Sequence, residues 1–419
     1  MSPTPEVPAN SPFTLHNIPF GVISTSSNTT PRCASAIGDH AIDLGILFQK
    51  AEPDIMLGKP APYQDFEQVF RKQTLNAFAG LPSDLRSNVR RFILDSLLNN
   101  TVPFEAFLPL DTVRMHMPMQ IGGYSDFFCS LEHCQNCSPM TGGNIPKNFY
   151  YSPSVYNGRA SSVVVSPDPI RRPKGVMYDT GGKEGNPIYG ASLKMDFELE
   201  MGFFVSKPVP WGQSLDIEKA RDHIFGFVVL NDWSSRDLQA YEMTPLGPFH
   251  SKGFATSISP WIVTLEALEP FACEPKHNHD STTFEHLRWH DRAKGTFDIR
   301  LTAKLIRNGI TYDLVESNLR YMYWTPYQQI VHHAAGGCGL KTGDLLGTGT
   351  ISGEKQGELG CLYEATRDGN SKLQFDDGSE LGYLEDGDEI ILEAWCGDGE
   401  GGRATIGFGH SRGKLLPSI

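Results

Sequence analysis

Acidic side chains interrupt an apolar stretch between residues 196 and 201, where the sequence reads D-F-E-L-E-M. Successive side chains of a strand point to opposite faces, so Asp196, Glu198 and Glu200 would share one face and apolar side chains the other. Carboxylates held side by side repel each other unless water or a cation separates them, and hard oxygen ligands suit Mg²⁺ or Ca²⁺. The pattern therefore indicates either a divalent-cation site or one solvated face of a sheet.

Another acid, Asp232, follows a short apolar run. Residues 224–230 read I-F-G-F-V-V-L, which predicts a buried strand that stops at Asn231. Binding sites are often built at strand ends. An acid at such a position is nevertheless more often a solvated turn residue, so spacing alone does not choose between the two interpretations.

Composition bounds the class of protein. The chain has 36 lysines and arginines against 49 aspartates and glutamates, a formal net charge of −13 at pH 7. This acidity argues against nucleic acid or an anionic membrane as a partner. Residues 1–12 lack the basic and apolar regions of a signal peptide, and no run of 18 apolar residues occurs. We expect a soluble, cytoplasmic protein in which most of the eight cysteines are buried thiols.

The N-terminal part reads as a small β-barrel-like module with a helix. With 419 residues, the chain exceeds the usual size of one domain. Residues 21–24 and 33–44 read as short strands, the second bent into a hairpin at Gly38 and Asp39. Ser83 or Asp84 should cap a helix with a buried apolar stripe and with outward-facing arginines, namely Arg86, Arg90 and Arg91.

The Pro- and Met-rich residues 108–119 read as the crossing to a second domain, giving domains 1–118 and 119–419. Residues 297–305 alternate like a strand with one wet face. A helix should begin at Pro326 and end at Gly336, with His332 and His333 as structural side chains in its last turn. Residues 343–353 and 386–392 add strands and glycine turns. The many short strands predict a mainly β (α+β) fold.

A cysteine cluster offers a competing chemistry. Cys129, Cys134 and Cys137 have the C-x4-C-x2-C spacing of a plant-type iron–sulfur loop. The next cysteine, Cys273, is remote in sequence, and the flanking residues show no other ferredoxin feature. An iron–sulfur cluster is therefore a minor alternative.

Several long blocks in chain order carry a family resemblance. They read Y-S-D-F followed by His133, then Y-N-G-R-A-S-S-V-V-V-S, E-L-E-M, N-D-W-S-S-R-D-L-Q, P-L-G-P-F, S-K-G-F, Y-M-Y-W-T and G-T-G-T-I-S-G. Together they resemble the fumarylacetoacetase family over nearly the whole chain. The resemblance implies an SH3-like N-terminal β domain, a C-terminal mixed β-roll catalytic domain and a homodimer. It also implies hydrolysis of a carbon–carbon bond in a 1,3-dicarbonyl substrate.

The resemblance also implies a set of site residues. Mg²⁺ or Ca²⁺ would be held by four carboxylates, with two further residues at an additional cation site: Asp126, Glu198, Glu200 and Asp232, then Lys252 and Thr256. Such a cation could chelate both oxygens of a β-diketone and favour the enolate that leaves. His133 matches the general base and Glu364 the acid that orients it. The groups that stabilise developing negative charge match Arg236, Gln239 and Lys252.

The substrate-binding set departs from the family. Phe128 replaces a tyrosine that helps to hold the substrate carboxylate, Met243 replaces a second tyrosine, and residues 138–144 lack the expected arginine. Tyr156, Gln239 and Thr350 are retained. Loss of charge-assisted partners for a carboxylate would cost several kcal/mol. We therefore expect a bulkier or less acidic substrate than fumarylacetoacetate.

Three functions stay open at the level of sequence. The leading hypothesis is metal-dependent hydrolysis of a 1,3-dicarbonyl compound. In the second, the same enolate serves carbon–carbon bond formation, decarboxylation or isomerisation in specialised metabolism. A dimeric, non-enzymatic binding protein is the third hypothesis, and the intact acids together with His133 and Glu364 speak against it.

Overall fold

The computed structural model describes residues 4–49, 66–140, 143–182, 184–278, 282–397 and 405–419. Elements are numbered in chain order. The first five strands form one antiparallel sheet in the order β4-β3-β2-β1-β5, and they are Phe20–Thr25 (β1), Arg32–Ile37 (β2), His40–Asp43 (β3), Phe107–Pro109 (β4) and Val113–His116 (β5). Ile37 pairs with His40 across the predicted hairpin, and Gly38 has the positive φ of 59° that its turn requires. The hairpin prediction is confirmed.

The end of β4 and the whole of β5 fall within residues 108–119, which we predicted as a crossing between domains. β5 pairs with β1, so this segment completes the N-terminal sheet before the chain moves on. A domain boundary after residue 118 stays a prediction.

Within residues 4–49 and 66–118, the helices that accompany this sheet are Leu44–Gln49 (α1), Phe66–Phe70 (α2), Asn76–Ala79 (α3) and Ser83–Leu98 (α4). The predicted helix α4 is confirmed, because its apolar residues recur at helical spacing and Val89, Ile93 and Leu97 are buried. The prediction that Ser83 or Asp84 caps the helix is wrong, because Pro82 occupies the N-cap position and Ser83 is already the first helical residue.

The prediction that the arginines of α4 point outward is wrong for two of the three. Arg91 is exposed. Arg86 Nη1 donates to the Ala79 carbonyl oxygen at 2.6 Å, and Arg90 Nη2 donates to the His16 carbonyl oxygen at 2.5 Å. Unpaired carbonyl groups beside the helix therefore draw both guanidinium groups back against the protein.

The rest of the chain is mostly β. Its helices are Leu131–Met140 (α5), Arg236–Glu242 (α6), His250–Gly253 (α7), Leu265–Leu268 (α8), Pro326–Ala335 (α9) and Leu362–Ala365 (α10). Its strands are Tyr124–Phe128 (β6), Ser154–Asn157 (β7), Val163–Val165 (β8), Ile170–Arg171 (β9), Lys174–Tyr178 (β10), Pro187–Ala191 (β11), Met195–Asp196 (β12), Leu199–Val205 (β13), Ile224–Asn231 (β14), Ser234–Ser235 (β15), Thr256–Ile258 (β16), Val263–Thr264 (β17), Ala272–Cys273 (β18), Thr296–Phe297 (β19), Arg300–Arg307 (β20), Ile310–Asn318 (β21), Leu345–Gly347 (β22), Leu373–Gln374 (β23), Glu380–Leu381 (β24), Glu389–Cys396 (β25) and Ile406–Leu416 (β26).

An eight-stranded mixed sheet forms the centre of this part, in the order β7-β6-β22-β13-β14-β16-β8, with β17 also paired to β14. Every residue of β13 and β14 is buried. A second sheet has the order β21-β20-β25-β26-β9. The mainly β (α+β) fold is confirmed.

Several predicted elements are present with shifted bounds. Helix α9 begins at Pro326 and ends before Gly336 as predicted. The strand expected over 297–305 is divided into β19 and β20, and β25 starts at Glu389 rather than near residue 386. In the stretch 343–353 only the three residues of β22 are extended.

Strand register brings remote acids to one end of the central sheet. β22 runs parallel to β6, and Gly347 lies opposite Asp126. In the antiparallel pair of β13 and β14, Glu200 lies opposite Leu230. Asp232 follows the last residue of β14 directly. Three carboxylates that are far apart in sequence thus meet at one edge.

The N-terminal sheet and helices pack on this central sheet through a shared core. Phe20 of β1 lies 6.3 Å from the ring of Phe225, centroid to centroid, and both belong to one apolar cluster with Phe78. Among the described residues, no helix combines the length and the apolar composition needed to cross a bilayer.

Candidate active site

Four buried carboxylates converge beside β13. One oxygen each of Asp126, Glu198, Glu200 and Asp232 can be chosen so that all four lie within 4.8 Å of one another. These are the four acids that the resemblance implied as metal ligands. Their joint burial places several negative charges where water cannot screen them.

Asp196 does not join this cluster, so the expectation that three alternate acids share one face is wrong for it. Regular pairing is interrupted between β12 and β13. The Asp196 carboxylate instead accepts hydrogen bonds from Arg236 Nε at 2.8 Å and from the backbone N–H groups of Leu362 and Tyr363 at 2.8 and 2.9 Å. Asp196 thereby connects Arg236 to the start of helix α10.

Two oxygens of the cluster have no protein partner. Asp126 Oδ1 and Glu200 Oε1 are buried and accept no hydrogen bond. Burial, and after it the neighbouring carboxylates, raise the pKa of Asp126 and of Glu200 well above the usual range. Orphaned, mutually repelling oxygens are the donor set that a hard divalent cation satisfies, so these residues fit Mg²⁺ or Ca²⁺.

Two cationic side chains border the cluster. Lys252 Nζ lies 2.8 Å from Asp232 Oδ2 and also contacts Glu198 Oε2. Arg236 Nη1 lies 2.9 Å from Glu198 Oε1. Burial alone would raise the pKa of Glu198, but Lys252 and Arg236 outweigh it and lower that pKa to about 2. Glu198 is therefore held as a carboxylate.

Lys252 and Thr256, implied at an additional cation site, both donate hydrogen bonds here. Burial alone would lower the pKa of Lys252, but Asp232 and Glu198 outweigh it and raise that pKa. An ammonium group has no lone pair to offer a metal, so the Lys252 side chain supplies countercharge in this arrangement. Thr256 Oγ1 donates to Asp232 Oδ1 at 3.0 Å.

Glycines allow the backbone to approach the acids. A Cβ atom on Gly347 would lie 2.3 Å from Asp126 Oδ1. Gly349 has a φ of 83°, and its N–H donates to Glu200 Oε2 at 3.0 Å. The end of β22 and the residues directly after it therefore contribute backbone rather than side chains to the acid cluster.

A histidine and a carboxylate form the second half of the site. His133 Nδ1 lies 2.6 Å from Glu364 Oε1, and both side chains are buried. Ser352 Oγ donates to Glu364 Oε1 at 2.7 Å, and Asn136 Nδ2 donates to Oε2 at 2.9 Å. With Nδ1 engaged, Nε2 is the nitrogen that can exchange a proton.

Burial and charge act in opposite directions on this pair. Burial alone would lower the pKa of His133, but Cys137 and Glu364 outweigh it, and the pKa lies well above 6.5. Burial alone would raise the pKa of Glu364, but His133 and the hydrogen bonds to Asn136 and Ser352 outweigh it and lower that pKa. The carboxylate therefore stabilises the imidazolium.

The two halves share one framework. Glu198 forms an isolated bridge with Cys361, the residue before helix α10, which carries Glu364. Asp196 binds Arg236 and the first backbone N–H groups of the same helix. The acid cluster and the His133–Glu364 pair are therefore held by adjacent backbone segments.

The residues predicted to contact substrate lie in different settings. Tyr156 OH donates to Asp232 Oδ2 at 2.6 Å and lies 3.1 Å from Asp126 Oδ2. Gln239 is half-buried, and its Oε1 accepts from Arg236 Nη1 at 3.1 Å. Thr350 is buried directly after Gly349. These three residues therefore border the site, and their contacts with substrate stay predictions.

The two departures from the family differ in exposure. The Phe128 ring approaches the His133 imidazole edge to face, with centroids 5.0 Å apart. Met243 follows helix α6 and is 47% exposed. The segment in which the family arginine was expected comprises residues 138–144, and residues 141–142 of this segment lie outside the described residues.

The two histidines of α9, His332 and His333, lie in its last turn as predicted, and the helix ends at Ala335. The prediction that they are protonated there and favoured by the helix dipole is wrong. Burial lowers the pKa of both side chains, which disfavours the imidazolium form. His333 Nε2 lies 2.8 Å from Ser125 Oγ, a neutral hydrogen bond beside Asp126.

The iron–sulfur alternative is contradicted. Cys129, Cys134 and Cys137 are buried, but they do not form a close group of ligand atoms among the residues described. Cys129 precedes helix α5, whereas Cys134 and Cys137 lie within it. All eight cysteines are free and six are buried, as composition predicted.

Sequence reasoning missed two supporting residues, Asn136 and Ser352, and the supporting role of Asp196. Asn136 lies three residues after His133, a spacing that puts both on one face of a helix and could have indicated it. Ser352 and Asp196 gave no local signal for their contacts, since their partners are more than ten residues away in each case.

Comparison with known families covers almost the entire chain. Residues 16–118 match the family model described as Fumarylacetoacetase N-terminal, and residues 123–414 match Fumarylacetoacetate (FAA) hydrolase C-terminal. The chain is 41% identical to the fumarylacetoacetase of Bos taurus, 40% to that of Homo sapiens and 41% to that of Arabidopsis thaliana. Each alignment covers 99% of this chain and 98% of the relative.

Solved structures share the fold at much lower sequence identity. A fumarylacetoacetate hydrolase from psychrophilic Exiguobacterium antarcticum superposes with a TM-score of 0.52 at 17% identity, covering 96% of this chain and 99% of that one. A maleylpyruvate hydrolase from Sphingobium has a TM-score of 0.52 at 14% identity, covering 96% and 100%. With matched models over both parts of the chain and relatives near 40% identity, the protein belongs to the fumarylacetoacetase family of carbon–carbon bond hydrolases.

Proposed function

We propose that the protein hydrolyses a carbon–carbon bond in a 1,3-dicarbonyl compound, with His133 as the base that activates water. The observation that carries this proposal is that the carboxylate cluster and the His133–Glu364 pair lie on adjacent backbone segments. Four buried carboxylates lie on one side and a histidine–carboxylate pair on the other, joined by Asp196, Arg236 and Glu198. The fumarylacetoacetase relatives favour hydrolysis over other uses of the same enolate.

The His133–Glu364 pair would move the proton. His133 Nε2 takes a proton from water while Glu364 holds the Nδ1–H and stabilises the imidazolium. The hydroxide attacks one carbonyl carbon, the bond to the central carbon breaks, and the departing carbon retains the electron pair as an enolate. That carbon then takes up a proton. The hydrogen bonds from Ser352 and Asn136 keep Glu364 in place throughout.

The four carboxylates would hold the metal, and we propose Mg²⁺ or Ca²⁺ because all four donors are hard oxygens. When bound, such a cation polarises the two carbonyl oxygens of the substrate. Tyr156 and Thr256 orient Asp126 and Asp232 through their hydroxyl groups. Glu200 is positioned by the backbone N–H of Gly349.

Cationic and amide donors would stabilise the charge that develops on the departing group. Arg236 is fixed by Asp196 and Glu198, and Lys252 by Glu198 and Asp232, so neither must reorganise during the reaction. Gln239 accepts from Arg236 through Oε1, which directs its amide N–H₂ group away from that guanidinium. We assign these three side chains to enolate stabilisation.

The substrate end nearest His133 would be less acidic or bulkier than that of fumarylacetoacetate. Phe128 places an apolar ring against the base, where a hydroxyl group would be needed to bind a carboxylate. Met243 adds a second apolar, partly exposed side chain. Thr350 and Tyr156 are the polar side chains that we assign to the remaining substrate contacts.

The decisive experiment measures kcat/KM for fumarylacetoacetate beside a panel of neutral and bulkier β-diketones, with Mg²⁺ and with chelator. We expect metal-dependent cleavage of at least one neutral diketone at a higher kcat/KM than fumarylacetoacetate. Absence of cleavage for every β-diketone, with metal bound, would contradict the proposal and revive a binding role. Formation of a coupled product without hydrolysis would favour the alternative enolate chemistry.

We also propose a cytoplasmic homodimer with domains 1–118 and 119–419, on the strength of the family resemblance. Sedimentation at several protein concentrations tests the dimer, since a molecular mass of one chain throughout would exclude it. Cell fractionation tests the location. Separate expression of residues 1–118 tests the boundary, although the shared core around Phe20 and Phe225 predicts that this piece folds poorly alone.

A further inference from the structure

Two cysteine thiols border the His133–Glu364 pair, and the proposed reaction uses neither. Cys361 Sγ lies 3.4 Å from Glu364 Oε1. Cys137 Sγ lies 3.7 Å from His133 Nδ1 and 3.9 Å from Nε2. All four side chains are buried. Two sulfur atoms are thus close to the imidazole ring and the carboxylate of the buried His133–Glu364 pair.

The spacing of these atoms is that of a metal site. Ligand atoms of His133, Cys361 and Glu364 lie within 4.8 Å of one another. Two ligands of a tetrahedral zinc ion with bonds of about 2.0–2.3 Å are roughly 3.5 Å apart. The Cys361–Glu364 and Cys137–His133 separations of 3.4 and 3.7 Å are close to this value. The separation of 2.6 Å between His133 Nδ1 and Glu364 Oε1 is shorter, so this hydrogen bond must open for both groups to bind one ion.

The donor types differ from those of the carboxylate cluster. Four hard oxygens select Mg²⁺ or Ca²⁺, whereas thiolate and imidazole select softer ions such as Zn²⁺ and Cd²⁺. The protein thus contains two neighbouring donor sets of opposite preference, connected through the bridge between Glu198 and Cys361.

We propose that His133, Cys361 and Glu364, with Cys137 as fourth donor, form a second cation site that takes a thiophilic divalent ion and blocks the enzyme. On binding, the Cys361 thiol and the protonated His133 ring each release a proton to solvent. The Cys361 sulfur forms the metal–sulfur bond, the freed imidazole nitrogen of His133 donates its lone pair to the metal, and Cys137 adds a lone pair of its sulfur. No electron is transferred. The blocking effect rests on the proposed role of His133 as base, whereas the binding does not.

An exposed thiol–imidazole pair supplies the natural control. Cys338 Sγ lies 3.5 Å from His333 Nδ1, but the other nitrogen of His333 is engaged by Ser125, and no third ligand atom is close enough among the described residues. Cys338→Ser therefore removes the competing surface site and leaves the buried thiols in place.

The test titrates Cd²⁺ into enzyme saturated with Mg²⁺ and records the ultraviolet thiolate-to-cadmium charge-transfer band together with turnover. We expect one cadmium–thiolate site per chain, present in Cys338→Ser and lost in Cys361→Ser. Inhibition, normalised to the uninhibited rate of each variant, should weaken at least about tenfold in Cys361→Ser. Even the loss of a side chain that only orients a ligand costs roughly 10- to 100-fold. Cys137→Ser should weaken it less.

Three outcomes would overturn the proposal. A band that persists in Cys361→Ser and vanishes in Cys338→Ser would put the ion at the surface pair. Relief of inhibition by excess Mg²⁺ would put it at the carboxylates. A Cys361-dependent band without inhibition would refute the blocking effect. Cys361→Ala should reproduce Cys361→Ser, and because the band needs no substrate, absence of all diketone cleavage would refute the proposed function while leaving this site testable.

Discussion

Glu364 Oε1 lies 2.6 Å from Nδ1 of His133, although 231 residues separate the two in sequence. The contact is buried and is reinforced by hydrogen bonds from Ser352 and Asn136 to the same carboxylate. Each partner changes the protonation of the other, because the carboxylate favours the imidazolium and the imidazolium favours the carboxylate. The base of the proposed reaction is therefore half of a coupled pair.

Replacing either member of this pair should reduce turnover. His133→Ala should lower kcat by roughly 10²–10⁴-fold, the range for a positioned acid–base group. Because only neutral His133 accepts a proton and its pKa lies above 6.5, kcat/KM should rise with pH through that pKa. Glu364→Gln removes the anion, so this rise should move to lower pH while kcat falls. Profiles between about pH 5 and pH 9 measure both effects, and an unmoved profile would separate Glu364 from the base.

Removing a carboxylate from the acid cluster should abolish metal use. Asp232→Ala deletes an oxygen that lies among three others. We expect no measurable turnover, and we expect Mg²⁺ to raise the unfolding temperature of the parent protein but not of the variant, because a ligand stabilises only the state it binds. The exposed Asp168→Ala is the matched control and should behave like the parent. Full activity of the parent in excess chelator would contradict this prediction.

Asp196 should act by positioning rather than by binding metal. Asp196→Asn removes the charge that faces Arg236 and weakens the acceptor for two backbone N–H groups of helix α10. We expect a loss of about 3 kcal/mol or more in the free energy of unfolding, as when a buried ion pair is broken. Urea unfolding and Mg²⁺ titration measure the two properties. Retained Mg²⁺ affinity with lower kcat is expected, and a loss of affinity like that of Asp232→Ala would count against a positioning role.

Gly347 should tolerate no side chain. The Cβ atom of Gly347→Ala would meet Asp126 Oδ1 at 2.3 Å and Glu200 Oε2 at 3.2 Å. Overpacking costs about 1–3 kcal/mol. If this free energy is lost from Mg²⁺ binding, activation should need a roughly tenfold to hundredfold higher Mg²⁺ concentration. Gly357→Ala is the control, because its Cβ would meet no atom within 4 Å. Equal Mg²⁺ dependence of the two variants would show that Asp126 moves aside without loss.

Substrate preference should respond to Phe128. The parent should cleave fumarylacetoacetate poorly, since a loss of about 3–4 kcal/mol in carboxylate binding lowers kcat/KM roughly a hundred- to a thousandfold. Phe128→Tyr combined with Gly142→Arg should raise kcat/KM for this substrate, although residue 142 itself lies outside the described residues. Efficient turnover by the unchanged protein would show that another cation, such as Arg159 or Arg236, binds the carboxylate.

Local pattern predicted the elements better than their contacts. The apolar stripe of α4 is set by helical geometry, so Val89 and Ile93 could be predicted as core. Arg86 and Arg90 could not, because their carbonyl acceptors belong to a preceding helix and to residues near the N-terminus. Alternation in D-F-E-L-E-M correctly grouped Glu198 with Glu200 but failed for Asp196, where tertiary partners interrupt the strand.

The candidate site was predictable mainly through the family resemblance. Neither Asp126 nor Glu364 has a local signal that relates it to β13 or to His133, since strand pairing and a long chain separation decide those contacts. Asn136 could have been predicted as a neighbour of His133 from its spacing alone. The position of Cys361 beside the site could not, because it depends on the backbone bridge to Glu198.

The parallel pairing of β6 with β22 sets a condition on biosynthesis. A nascent chain carries all four carboxylates once residue 232 has left the ribosome, yet Asp126 gains its neighbour Gly347 only after more than a hundred further residues have been translated. Closing so long a loop is an entropic cost that comes late in folding. A gene copy truncated before residue 345 would therefore retain all four carboxylates of the acid cluster and still encode no assembled site.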